Sequence, residues 1–312
     1  MRAATGTQYE LTHETPDGRA TATITEVAAG IRAYALNGID LVESFAAAVE
    51  PPMSAGIVLV PWPNRIRDGI WRNGDDWQQL SITEPLLNNA IHGLLRFTPY
   101  RLVERDAAAV TLAATVFPQS GFPFQLDTSV TYALTETGLE VTHTVHNVGT
   151  ESAPVAIGVH PYLKIGDVPT EDLVLRVDAA TRLEVDARLN PTGVDTPVDG
   201  TRYDLRAGAR VADLALDDAF GGAGREHSLT APDGRRVTVW GDENMRYVQV
   251  FTPTEFPVTA SEGDVPVPGR AVAIEPMTAP ADAFNSGAGL RWLAPDESWT
   301  VRWAIRPTGF QA

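Results

Sequence analysis

Phe124, Leu126, Val130, Tyr132 and Leu134 share one parity of a run whose other parity holds Gln125, Asp127, Ser129 and Thr131. Alternation with period two marks a strand with one buried face and one wet face. Trp299, Val301, Trp303 and Ile305 alternate in the same way with Thr300, Arg302, Ala304 and Arg306. Shorter runs at 110–116, 139–145, 173–177, 237–240 and 247–251 repeat the theme. Turn signals separate them: Asp17-Gly18, Asn37-Gly38, Asn73-Gly74, Asp233-Gly234 and Pro295-Asp296. Residues 30–40 read as a strand and hairpin, and 45–50 is too short for a helix. No long stretch keeps a 3.6-residue period. The pattern predicts an all-β chain: a large antiparallel β-sandwich with few short helices, one domain spanning 1–312, whose strands can bring distant polar residues to one concave face.

Composition narrows the chemistry. The 312 residues carry 24 Lys+Arg against 40 Asp+Glu, a formal net charge of −16. So acidic a surface repels phosphate backbones and anionic lipid, so neither nucleic acid nor a membrane is an expected partner. There is no cysteine, which removes disulfides, thiolate nucleophiles and cysteine metal sites. Lys164 is the only lysine, and it lies in no glycine-rich phosphate loop, so Walker and Schiff-base chemistry fall away. No apolar run reaches the length of a membrane span or of a signal-peptide core, and a cytoplasmic setting is expected.

Two of the six histidines have unusual neighbours. His92 ends a polar lead, Asn88-Asn89-Ala90-Ile91, and is followed by Gly93. His160 ends an apolar strand and is stiffened by Pro161. His143 and His146 have the spacing of a metal pair, but odd separation on a strand points them to opposite faces, so no metal site is expected. Among the acids, Asp217 sits in Leu216-Asp217-Asp218-Ala219-Phe220. Glu275 closes the apolar run Val272-Ala273-Ile274 and precedes Pro276, an expensive place for an acid without a task. Residues 61–69 form the densest polar–aromatic cluster, with Trp62, Asn64, Arg65, Arg67 and Asp68. An aromatic face stacks on a sugar, and an arginine fork binds vicinal hydroxyls. No G-x-S-x-G, G-x-G-x-x-G or H-E-x-x-H is present. Imidazole, carboxylate and arginine suit cofactor-free proton transfer on a polar, uncharged substrate.

In this order the segments resemble the aldose 1-epimerase (mutarotase) family: N-R-I-x-x-G within 61–69, N-x-x-H-G at 89–93, H-P-Y at 160–162, D-x-x-F at 217–220, and E-P-x-x-x-P-A-D-A-F-N at 275–285. The resemblance implies a β-sandwich with a monosaccharide site on its concave face, no cofactor, and a monomer or homodimer. It implies that His160 is the acid at the ring oxygen and Glu275 the base at the anomeric hydroxyl. His92, Arg65 and Asp217 would bind the substrate, with Asn64 and Trp62 beside them. A carboxylate next to His160 is expected to raise the imidazole's pKa. Three departures, Leu94, Val159 and Met277, are expected to face the substrate and to disfavour galactose. The P-W-P-N-R-I and I-H-G-L-L-R forms look closer to a bacterial branch that includes sulfosugar mutarotases. Arg65, Arg67 and Lys164, all beside site motifs, raise the expectation of an anionic sugar. Two other classes stay open: a non-catalytic carbohydrate-binding sandwich, and a glycoside-processing hydrolase or lyase that uses Asp217 with Glu275.

Overall fold

The alternating runs become a nine-stranded antiparallel sheet. Its order is Arg101–Arg105, Ala109–Val116, Leu126–Thr135, Gly138–Asn147, Ser298–Thr308, Arg236–Gly241, Glu226–Thr230, Val174–Val177 and Ala209–Arg210. Leu126, Thr128, Val130, Tyr132 and Leu134 are buried while the residues between them are not. The alternation near the C-terminus fails at one place, because Ala304 is buried as well. It lies in register between Glu140 and Trp240, and the Arg306 guanidinium crosses the Trp240 ring 4.4 Å from its centroid. A small side chain is thus covered on what would be the wet face.

The computed structural model describes residues 2–259 and 265–310, so the unit expected over 1–312 reaches past the described residues at both ends. Among those described, the single α-helix is Ala283–Ser286, and no helix is long and apolar enough to cross a membrane. A four-stranded meander, Gln8–Thr15, Gly18–Thr25, Ile31–Leu36 and Ile39–Asp40, is tied to the large sheet where the Tyr132 hydroxyl donates to the Ala29 carbonyl at 2.6 Å.

The second large sheet runs in the order Pro191–Pro197, Thr181–Val185, Asp217–Gly221, Tyr247–Phe251, Val272–Met277, Gly158–Val159 and Val58–Leu59. Tyr162–Leu163 also pairs with 272–277. One face of this sheet sends Phe220, Val248, Val250, Val272 and Ile274 into the apolar core shared with the nine-stranded sheet. The other parity carries Asp217, Gln249 and Glu275 onto a concave face. Gln249 lies directly opposite Glu275 in register, and Asp217 opposite Phe251.

Two prolines mark where this sheet opens. Along 272–277 the N–H groups of Ile274 and Thr278 donate to the carbonyls of Pro161 and Ile157. Pro276, midway between them, has no N–H to give on that side. The facing chain is itself interrupted there, between the strands at 158–159 and 162–163, and His160-Pro161 fills the break. A proline survives inside a sheet only where the ladder is already broken. Glu275 therefore lies inside the sheet: the strand continues through Pro276 to Met277 with every residue buried.

Candidate active site

The sequence-singled side chains converge on one cavity of about 290 Å³, lined by Asn64, Arg65, His92, His160, Asp217 and Glu275. Each arrives from a different element. Asn64 adopts a left-handed φ of 54° and accepts the Arg65 N–H on its own side-chain oxygen at 2.8 Å. That turn launches the short strand Arg65–Arg67, which pairs with Asn89–Ile91 and so brings His92 alongside. His92 donates its backbone N–H to the Asn64 carbonyl at 2.9 Å. Gly93 is required next. Its φ is 71°, and a Cβ there would sit 2.1 Å from the Val60 carbonyl oxygen.

His160 and Glu275 are 5% and 2% exposed, and Nε2 of one lies 3.4 Å from Oε1 of the other. The His92 ring meets His160 edge to face, with centroids 5.4 Å apart. Burial pulls His160 down to about 4 and lifts Glu275 well above the ordinary carboxylate range, with the Asp217 charge adding to the second shift. The expectation that the neighbouring carboxylate raises the imidazole is thereby overturned. Desolvation of both groups outweighs their attraction, which favours carboxylic acid beside neutral imidazole over carboxylate beside imidazolium. His92 is also held well below its usual value by burial, and then by His160 and Arg65. Asp217 is raised by burial, against the pull of Arg65.

Five polar residues of the wall, Ser54, Thr83, Glu84, Arg96 and Gln249, were not among the expected site residues. Gln249 accepts from Asn64 Nδ2 at 3.2 Å and donates to Asp217 at 2.7 Å, linking two of the motifs. Glu84 receives Arg65 through three bonds, from Nε at 2.9 and 3.2 Å and from Nη2 at 2.9 Å, and a fourth from Asn89 at 2.9 Å. The Arg65 fork is thus fixed in direction and neutralised before any ligand enters. Arg96 also lines the cavity, its Nη2 donating to the Thr83 carbonyl at 3.2 Å. A lone amide in an apolar strand was the only local signal for Gln249. Arg96 closes the I-H-G-L-L-R run without having been assigned to the site, and Glu84 had no local signal.

Several expected positions lie elsewhere. Trp62 is buried to 1% exposure, its ring 5.3 Å from Phe284 and 6.5 Å from Phe122, so it packs in the core and does not stack on a ligand. Arg67 points away from the cavity to Asp186 at 2.8 Å. Lys164 pairs with buried Glu43 at 3.4 Å on the wall of a separate cavity of about 760 Å³. None of the three departures lines the cavity: Val159 and Met277 are buried, and Leu94 packs partly against the core. His143 and His146 do point opposite ways: His143 accepts the Trp303 indole N–H in the interior at 3.0 Å, and His146 meets Asp296 at the surface.

Residues 8–306 match the family model for aldose 1-epimerase. An Escherichia coli K12 protein, the uncharacterised YihR, is 33% identical over 275 residues, covering 87% of this chain and 85% of its own. Human galactose mutarotase is 29% identical over 158 residues, 48% of this chain and 45% of its own, so the chain spans under half of that relative. Among solved structures, a Caenorhabditis elegans GalM/aldose epimerase homologue superposes with a TM-score of 0.84 at 18% identity, covering 97% of this chain and 99% of its own. Galactose 1-epimerase from Lactobacillus acidophilus gives 0.78 at 20% identity, covering 99% and 96%. At such identities these two likenesses concern the fold alone.

Proposed function

The chain belongs to the aldose 1-epimerase family, and from that premise we propose that it interconverts the α and β anomers of a free aldose. The observation that carries the reading is the buried His160–Glu275 contact at 3.4 Å, inside a cavity whose wall also carries Asn64, Arg65, His92, Asp217 and Gln249, groups able to bind hydroxyls. Opening a hemiacetal needs one proton delivered to the ring oxygen and one taken from the anomeric hydroxyl, on two oxygens of the same carbon. A hydroxyl donating to Glu275 favours its ionised form, and the proton it gives up passes to His160 with no change in the pair's total charge. His160 then protonates the ring oxygen while Glu275 takes the hydroxyl proton. The aldehyde rotates about C1–C2 and recloses on its other face with the two roles exchanged. The chemistry needs no cofactor, and we take 1–312 as one domain, acting in the cytoplasm as a monomer or homodimer.

Gln249 holds Asp217 at 2.7 Å, and Glu275 has an imidazole as its partner. That favours an imidazole–carboxylate pair over the two-carboxylate device of a glycosidase, and both groups are superfluous in a mere binding module. A second reading of the substrate, an anionic aldose, is favoured by Arg96, whose guanidinium lines the cavity and, among the described residues, donates to the Thr83 carbonyl. Saturation-transfer NMR on a panel of neutral and anionic aldoses tests both. Anomer exchange is expected in the wild type, and Glu275→Gln is expected to slow it by about 10²–10⁴-fold. Full activity in that variant refutes the mechanism. Equal rates on neutral sugars and their anionic analogues refute the anionic reading.

A further inference from the structure

A general acid or base of the histidine type is ordinarily aimed by a hydrogen bond to its second ring nitrogen. No other residue supplies one to His160: its Nδ1 is buried, and the only hydrogen-bonding group beside it is the histidine's own backbone. The backbone on either side is clamped, since Gly56 N–H donates to the His160 carbonyl at 2.8 Å and His160 N–H to the Ile57 carbonyl at 3.2 Å. Backbone clamps leave χ1 and χ2 free, so something else must hold the ring.

Against one face of the imidazole lies Tyr162, stacked with centroids 5.1 Å apart and planes 27° from parallel. Tyr162 is itself fully enclosed and does not line the cavity. Phe256 backs it at 4.5 Å, within a small apolar cluster that also contains Phe45, Ala55 and Ala273 and is separate from the main core. Its hydroxyl donates to the Met53 carbonyl at 3.3 Å, and its backbone pairs with Ala273, two residues from Glu275. The ring behind His160 is therefore fixed at its tip, its rear face and its backbone.

We propose that Tyr162 is a positioning residue for His160, supplying by ring stacking the orientation that a hydrogen bond to Nδ1 would otherwise supply. The inference rests on the acid–base role proposed for His160. Stacking fixes the plane of the imidazole without a bond from another residue to Nδ1, so Nε2 stays aimed at Glu275 in either protonation state. On this account the separate apolar cluster is the mount of the catalytic ring.

The experiment compares Tyr162→Phe, Tyr162→Leu and the milder Tyr162→Met, each checked for folding by thermal melt. Tyr162→Phe keeps the stacked face and is expected to hold kcat within about threefold, whereas Leu and Met are expected to lower kcat by about 10–100-fold with KM nearly unchanged. Histidine-selective ¹⁵N NMR, with the His160 signals assigned by their loss in His160→Ala, gives a readout that needs no turnover. Wild type and Tyr162→Phe are expected to share one His160 signature, and Leu and Met to broaden it or shift its tautomer balance. An unchanged His160 signature in folded Tyr162→Leu or Tyr162→Met overturns the proposal, as does a defect confined to KM. Should the wild type exchange no anomers of any aldose, the proposed reaction falls, and the NMR comparison still decides the role of Tyr162.

Discussion

The two large sheets are both antiparallel and share a core, yet they are built by different rules. In the nine-stranded sheet, strands of up to 11 residues alternate buried and exposed positions, and one face meets water. In the sheet that carries the site, strands of two to six residues are buried on both faces around the cavity. The first is a scaffold whose side chains answer to packing. The second spends its outward face on Asp217, Gln249 and Glu275, acids and amides that a packed core would reject. Stability and chemistry are thereby assigned to opposite layers of one sandwich.

Single substitutions divide along the same line. His160→Ala is expected to slow anomer exchange by about 10²–10⁴-fold while the melting temperature changes little. Trp303→Ala, in the middle of the nine-stranded sheet, is expected to lower stability by about 3–5 kcal/mol, measured by urea unfolding, with kcat per folded molecule intact. Unfolding caused by the first change, or a catalytic defect in the folded fraction of the second, would break the division.

A change of pH sharpens it. Burial holds His143 at about 3 and His227 at about 4, and both lie in the nine-stranded sheet. His143 must be unprotonated at Nε2 to accept the Trp303 indole, and His227 at Nδ1 to accept the Asp178 N–H at 3.2 Å. A histidine whose folded pKa lies below its unfolded value of about 6.5 contributes stability in full above pH 6.5. That contribution is lost as pH falls through 6.5 toward the folded value, about 2 kcal/mol per histidine by pH 5. Glu275, raised by burial, acts in the opposite sense, so the test is a difference: His227→Gln should lose less urea stability than the wild type as pH falls from 7.5 to 5, and equal pH slopes in the two would contradict the assignment of His227.

The smallest effect is expected at Arg67. Arg67→Ala removes a half-exposed ion pair with Asp186, worth about 0–1 kcal/mol after solvent screening. Because the side chain turns away from the cavity, rates on neutral and anionic sugars should stay within about twofold, well short of the loss expected for a group in the acid–base pair. A selective loss on anionic sugars would return Arg67 to the site.

What could be read beforehand follows from the same contrast. The scaffold strands were legible because a half-wet sheet writes its period into the sequence, as at 124–134 and 299–305. His160, Glu275, His92 and Asp217 stood out in their local context and Asn64 and Arg65 in a polar–aromatic cluster, while their site roles came from the family resemblance. Gln249 acquires meaning only through its register with Glu275, and Glu84 only through Arg65, 19 residues away. Trp62 was misread because an aromatic between two prolines gives no sign of which side faces solvent; Phe122 and Phe284 settle the matter, and both are distant in sequence. The low pKa of His160 depends on a desolvation that no local pattern encodes.

The order of synthesis gives one scaffold strand a further significance. Ser298–Thr308 lies in the middle of the nine-stranded sheet, between Gly138–Asn147 and Arg236–Gly241. Everything made before residue 298 leaves those two neighbours without the strand they share, each presenting an open edge able to pair wrongly. The element that joins the halves is the last of the described strands to leave the ribosome. A growing chain can thus contain every residue of the cavity, Glu275 included, before the layer that supports it is closed.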